Sequence, residues 1–214
     1  MQLELWIDVV CPWCYLGKRR LEAALEQFDG RDELTLVTRA FELDPDAPPV
    51  REGTLAEMLA GKYGITVDEA EARQSQLVEL GREHGIDFRF DIARSGNTFD
   101  AHRLIHLARE QGVATEVVER LMRGYFSEGL AIGDPAELAG AVAEAGLPQP
   151  EAHELLDGDD FAEEVRAEEQ QAARLGIRGV PFLVLDGRYG LSGAQPVEAY
   201  LQALEHAWGE RQAA

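Results

Sequence analysis

Two cysteines stand three positions apart in Cys11-Pro12-Trp13-Cys14, and the 214-residue sequence has no others. They lie at a junction. The segment before them sets Leu3, Leu5, Ile7 and Val9 against Gln2, Glu4, Trp6 and Asp8, the period of a strand over about residues 3–9. The segment after them, to Phe28, has the spacing of an amphipathic helix over about residues 12–28. A Cys-x-x-Cys where a strand hands over to a helix is a redox pattern. The first helical turn offers unpaired N–H groups and the positive end of the dipole. A thiolate there is stabilised and becomes the attacking sulfur. A second thiol one turn on can close a disulfide. Cys11 is therefore expected as the nucleophile and Cys14 as the more buried, resolving thiol.

Other uses of the pair are weaker. Two reduced core cysteines would not need this junction. Zinc would need a second half-site, and His102 with His106 offers one by spacing. The two halves lie far outside the roughly 12–15 residues of a compact finger, so no metal is expected. Pro12 removes an N–H near the sulfurs, and Trp13 adds apolar cover or a substrate contact. The redox poise does not follow from these two residues, since dithiol proteins span about −270 to −120 mV.

Lys+Arg is 20 against 40 Asp+Glu, a formal net charge of −20. Such a chain repels nucleic acid and anionic membranes, so neither is expected as a partner. No basic, apolar leader pattern and no apolar run of about 20 residues is present, which predicts a cytoplasmic protein. A structural disulfide is rare there, which again favours catalysis for the lone pair.

The chain continues with a strand over about 34–41, expected to be covered on both faces and parallel to the first in a right-handed β-α-β unit. Asp44-Pro45-Asp46-Ala47-Pro48-Pro49 reads as a loop. Helical patterns then fill about 54–63, 68–84, 97 or 98 to 111, 114–129, 134–145, 150–156 and 159–175. Strand character returns at 181–185, with an Asp186-Gly187 hairpin turn, a return strand at 188–192 and a last helix over 196–208. No internal repeat is found. The order is β-α-β, a helical block, then β-β-α.

Several clusters carry a family resemblance: Asp8-Val9-Val10-Cys11-Pro12-Trp13-Cys14, Phe41-Glu42-Leu43-Asp44-Pro45, Asn97-Thr98-Phe99-Asp100-Ala101-His102-Arg103, Gly176-Ile177-Arg178-Gly179-Val180-Pro181-Phe182 and Gly193-Ala194-Gln195. The chain resembles the DsbA-like thioredoxin-fold proteins, and more closely their cytoplasmic FrnE-like branch. The resemblance implies an α/β, thioredoxin-like fold (β-α-β … β-β-α) with a large all-helical insertion. It places the thioredoxin-like domain at 1–48 and 165–214 and the inserted helical subdomain at 49–164. It also implies a dithiol oxidoreductase that needs no cofactor. Partners would be disulfide- or thiol-containing proteins or small molecules, with glutathione among the candidates, and the protein a monomer or homodimer.

The same resemblance makes Pro181 a cis proline facing the disulfide, and lets the backbone of Val180 pair with an extended substrate. It sets the start of the helix at Asn97 over the active-site face. His102 would then tune the Cys11 thiolate and Arg103 hold an acidic substrate group. The plain alternative is a helix cap followed by two surface residues. Asp8 is either a proton carrier during exchange or a surface or ion-paired carboxylate. Lys18 and Arg19 are expected on the solvent side of the first helix, and His84, His153 and His206 at the surface. Two rival functions remain open. One is a glutathione-dependent isomerase or transferase of the same fold group, whose members place a serine where Cys11 stands. The other is a chaperone-like client-binding domain that uses the groove around Trp13 and Val180.

Overall fold

The structure, a computed structural model, describes residues 1–213. In chain order the elements are β1 (Gln2–Ile7), α1 (Pro12–Glu26), β2 (Thr35–Ala40), α2 (Leu55–Tyr63), α3 (Val67–Arg82), α4 (Phe99–Glu110), α5 (Ala114–Arg123), α6 (Pro135–Glu144), α7 (Gln149–Asp157), α8 (Ala162–Arg174), β3 (Phe182–Leu185), β4 (Tyr189–Ser192) and α9 (Val197–Ala213). The chain divides into two compact units, Met1–Leu43 with Glu168–Ala214, and Asp44–Ala167.

The first unit is built on a four-stranded sheet in the order β2-β1-β3-β4. β1 runs parallel to β2, with Leu3 opposite Leu36, and antiparallel to β3, with Trp6 opposite Phe182. β3 and β4 are antiparallel. β1 is paired along both edges and buried on both faces. Leu3, Leu5 and Ile7 fill one, while Trp6 packs with Ala172, Ile177 and Val184 on the other. The alternation of β1 in the sequence suggests a polar second face. Trp6 is instead completely buried and Glu4 nearly so. β2 departs from expectation in the opposite sense. It is a sheet edge, and Thr35 and Leu36 are exposed.

Burying Glu4 requires a partner, and Arg39 supplies it. Its Nη2 lies 2.6 Å from Glu4 Oε1 and its Nη1 2.7 Å from Glu168 Oε1. Glu168 Oε2 accepts from the Ala40 N–H at 2.7 Å, and the Glu168 carbonyl accepts from Trp6 Nε1 at 3.4 Å. The middle of α8 is thereby tied to β1 and β2. α8 closes in a Schellman turn. The Gly176 N–H donates to Ala173 O and the Ile177 N–H to Ala172 O, with Gly176 at φ +74°. Between β3 and β4, Asp186 and Gly187 both take positive φ and the Arg188 N–H donates to Leu185 O at 3.0 Å, the turn expected of Asp-Gly.

The second unit is helical. Thr54 and Thr66 open α2 and α3 with reciprocal capping boxes to Glu57 and Glu69, and Asp134 caps α6 ahead of Pro135. The helix expected over 114–129 is α-helical only to Arg123. It widens into a π-turn over Gly124–Glu128 and stops at Gly129. That turn seats Phe126 against Phe88 and Phe90 at ring distances of 5.1 and 6.1 Å. The proline-rich segment is a docked loop. Pro48 O accepts from the Asn97 N–H and Ser95 O from the Arg51 N–H, both at 2.9 Å. The fold is the mixed α/β, thioredoxin-like arrangement with a helical insertion.

Candidate active site

The end of β1 and the start of α1 build the site. The Cys11 N–H donates to Asp8 O at 3.1 Å, turning the chain out of the strand. Cys11 is the N-cap of α1, with extended backbone (φ −91°, ψ 112°) and Pro12 following at the first helical position. Pro12 has no N–H to leave unpaired there. The Cys11 carbonyl accepts from the Cys14 N–H at 3.0 Å and the Tyr15 N–H at 3.2 Å, closing the first turn. Both cysteines are free thiols. Cys11 retains 4% exposure and Cys14 none, whereas Trp13 between them is 47% exposed.

Opposite the sulfur stands the loop before β3. Cys11 Sγ lies 3.7 Å from the Val180 carbonyl oxygen, and the Val180–Pro181 peptide is cis. Burial pushes the Cys14 thiol well above its ordinary range. Its hydrogen bond with the Cys11 side chain and the charge on Cys11 push the same way. A hydrogen bond from the Asp8 backbone opposes them, while the Asp8 carboxylate adds a further upward push.

Asp8 is buried at the end of β1, so it is not a surface group. Its Oδ2 accepts from the Leu43 N–H at 2.8 Å, and its Oδ1 from the Val10 N–H at 3.5 Å. One side chain thus ties the turn before Cys11 to the exit of β2, beside Cys14. Lys18 departs from the expectation of a solvent-facing residue. It is buried, with Nζ 2.6 Å from Glu22 Oε1. The reason is helical phase: Lys18 lies four residues after Cys14 and three before Leu21, on the packed face of α1. Arg19 is half-buried, its guanidinium 5.3 Å from the Tyr15 ring centroid.

Tyr200 is a site residue that the sequence pattern conceals. It falls on the apolar stripe of α9, yet its hydroxyl donates to Gly193 O at 3.2 Å. The Gly193 N–H donates to Pro181 O at 2.8 Å, and Arg20 Nη1 donates to Ala194 O at 2.9 Å. α1 and α9 therefore both hold the 193–195 segment, which holds the proline loop. Burial pushes the Tyr200 phenol up, and charge on Cys14 adds to the effect. Gly17 makes the close approach possible. A Cβ there would lie 2.9 Å from Pro181 Cγ and 3.4 Å from the Tyr200 hydroxyl.

Asn97, His102 and Arg103 belong to the helical unit. Asn97 Oδ1 accepts from the Phe99 N–H at 2.8 Å and its Nδ2 donates to Pro45 O at 3.2 Å, so it both opens α4 and pins the proline-rich loop. His102 and Arg103 are buried, not surface residues. Arg103 donates from Nε to Asp160 O (2.8 Å), from Nη2 to Leu155 O (2.6 Å) and Gly158 O (2.7 Å), and from Nη1 to Asp100 (2.8 Å). It clamps the α7–α8 connection. His106 stacks on Phe161 with ring centroids 5.9 Å apart. His153 and His206 are exposed and His84 is half-buried. No group of acidic, His or Cys side chains able to hold a metal ion occurs among the described residues. No helix among them is long and apolar enough to cross a membrane.

Comparison with known proteins places this geometry. The DSBA-like thioredoxin domain matches residues 2–205. A probable DsbA oxidoreductase from Streptomyces coelicolor is 42% identical and superposes with a TM-score of 0.94, over 98% of this chain and 91% of that one. The cytosolic disulfide reductase DsbM from Pseudomonas aeruginosa shares the fold at a TM-score of 0.68 and 19% identity, over 100% of both chains. The Bacillus subtilis protein YwbO is 24% identical over 152 residues, 69% of this chain and 67% of YwbO.

Proposed function

Because the chain belongs to the DSBA-like thioredoxin domain family, we propose that it is a thiol–disulfide oxidoreductase working through Cys11 and Cys14. The Cys11 thiolate attacks one sulfur of a substrate disulfide. The substrate S–S bond breaks, the first substrate sulfur leaves as a thiolate, and a mixed disulfide forms. Cys14 then loses its proton and attacks Cys11 Sγ. The second substrate sulfur departs, the substrate is reduced by two electrons, and the enzyme holds a Cys11–Cys14 disulfide. The reverse direction uses the same atoms.

The observation that carries this reading is the pairing of depths. Cys11 caps the helix with its sulfur 3.7 Å from the Val180 carbonyl, and Cys14 is fully buried one turn behind it. The raised acidity threshold of Cys14 orders the steps. Burial holds Cys14 neutral, and so does negative charge on Cys11. The mixed disulfide removes that charge, which makes Cys14 easier to ionise when its attack is needed. Asp8, buried beside Cys14, is the group we assign to take the proton. The Val180 backbone and exposed Trp13 form the substrate edge. The finer assignment is the FrnE-like branch acting in the cytoplasm. The absence of any third cysteine leaves nothing for a structural disulfide. Cys11 in place of serine disfavours the isomerase and transferase chemistry.

Equilibration with glutathione buffers followed by thiol trapping tests the proposal. The wild-type protein should interconvert dithiol and disulfide forms. Cys11→Ser should be inert, and Cys14→Ala should accumulate a mixed disulfide on Cys11. A wild-type pair that never oxidises would refute redox exchange.

A further inference from the structure

Within the oxidoreductase reading, the structure also says something about the substrate. Few of the chain's cations are free. Arg39, Arg51, Arg94, Arg120 and Arg211 each face a carboxylate, and Arg103 is taken up by carbonyls and Asp100. Arg174 and Arg178 are exposed, and among the described residues neither has a hydrogen bond, ion pair or ring contact. Arg174 closes α8, where a cation is favoured by the helix dipole whatever the function. Arg178 has no such reason to be there.

Its placement follows from local packing. The Schellman turn at Gly176 drives Ile177 into the core beside Ala172 and Trp6. Val180 packs on the same cluster. Arg178 and Gly179, between two inward residues, are left facing solvent. Two residues of chain span at most about 7 Å, and the Val180 carbonyl is 3.7 Å from the Cys11 sulfur. An unpaired guanidinium is therefore tethered at the edge where a substrate must lie. Trp13, between the two cysteines, adds apolar surface to the site and is 47% exposed.

We propose that Arg178 is a specificity residue, and that this edge takes an extended polypeptide with a carboxylate side chain within a few residues of its disulfide cysteine. The net charge of −20 works against any acidic partner at long range. At physiological salt, however, exposed charges are screened beyond about 8 Å, and the proposal sets Arg178 within that reach of a chain paired with Val180, two residues away. The local cation therefore governs the contact, while the overall charge acts only on the approach.

The test uses the full-length reduced protein in single-turnover reduction of three disulfide-linked peptides. They are identical except for Glu, Gln or Lys two residues from the cysteine. Glutathione disulfide and bis(2-hydroxyethyl) disulfide serve as small anionic and neutral controls. The wild type should reduce the Glu peptide about tenfold faster than the Lys peptide at physiological salt, the ratio falling toward one at about 0.5 M salt. Arg178→Gln should remove most of the preference and Arg178→Glu should invert it, with unchanged melting as the check on folding. A wild type that reduces the neutral disulfide but favours the Lys peptide, or shows no preference, overturns the proposal. So does a ratio that survives Arg178→Glu, or an Arg178 effect confined to glutathione disulfide. A wild type that reduces none of these substrates refutes the oxidoreductase reading itself, a different outcome from failure of the specificity.

Discussion

Gly17→Ala puts two general rules in opposition at one position. Gly17 is in the interior of α1, where replacing glycine by alanine normally stabilises a helix by about 0.5–1 kcal/mol. Here the new methyl would lie 2.9 Å from Pro181 Cγ. Carbon pairs prefer about 3.5–4.0 Å, so α1 and the proline loop must separate by roughly 0.6–1 Å. Overpacking of this kind costs about 1–3 kcal/mol. The balance predicts a net loss of up to about 2.5 kcal/mol and no net gain. The same displacement acts on chemistry. Pro181 follows Val180, whose carbonyl faces Cys11 Sγ, and a misplacement near 1 Å can slow a positioned reaction by about 100-fold. Gly209→Ala is the control. Gly209 is in α9 of the same unit and a Cβ there would meet nothing within 4 Å, so the usual gain should appear. Urea denaturation gives the stabilities, and single-turnover reduction of a small disulfide gives the rates. A Gly17→Ala protein that is more stable than wild type, or that exchanges disulfides at the wild-type rate, would refute the claim that this contact sets the site.

Three further predictions concern the same unit. Glu168→Ala leaves Arg39 short of one carboxylate and the Ala40 N–H without its acceptor, so it should cost about 3–5 kcal/mol in denaturant unfolding, with Glu168→Gln costing less. Tyr200→Phe removes the donor to Gly193 O. It should cost about 1 kcal/mol and slow substrate reduction more than it changes melting, since the loop it releases holds Pro181. The third concerns pH. Burial and its Cys11 neighbour raise the Cys14 thiol in the folded, reduced state, so folding favours the neutral thiol. That contribution is fully present below the ordinary thiol value of 9.0 and is lost as pH rises through the folded value. Reduced wild-type protein should therefore lose stability above about pH 9 faster than Cys14→Ala, measured as denaturation midpoint against pH.

How much of this was legible in the sequence depended on how local the cause was. The Cys-Pro-Trp-Cys junction, the Asp186-Gly187 turn and the Asp134-Pro135 start of α6 are written in neighbouring residues, and the elements they mark lie where the pattern puts them. The burial of Trp6 is not written in the alternation, which separates two faces without telling whether the second one meets water. In β1 it does not, because Ala172 of α8 and Ile177 pack on Trp6. Lys18 was misread for its charge, although its phase with Cys14 and Leu21 marks the packed side. Arg103 depends on the carbonyls of Leu155, Gly158 and Asp160, some fifty residues away in sequence, and no local pattern encodes them. Tyr200 looked like one more apolar contact because its role lies in a single hydroxyl. The outward turn of Arg178 was readable in principle, since Leu175-Gly176-Ile177 after a helix is the composition of a Schellman cap.

The two ends of β1 show why one buried carboxylate is read as structure and another as chemistry. At its start, Glu4 shares Arg39 with Glu168, and the backbone of Ala40 takes the remaining acceptor. Both carboxylates there are held by one guanidinium, and nothing in the proposed reaction alters that arrangement. At its end, Asp8 takes the Leu43 N–H while its backbone N–H bonds to the sulfur of Cys14, a thiol kept neutral by burial. A negative group beside a neutral acid in a dry site is a balance that any change in charge must disturb. The proposed cycle changes that charge twice, once when Cys11 enters the mixed disulfide and once when Cys14 leaves its proton to attack. The polar groups at the end of β1 are thus placed where the charge moves, and those at its start are placed to keep the strand from moving at all.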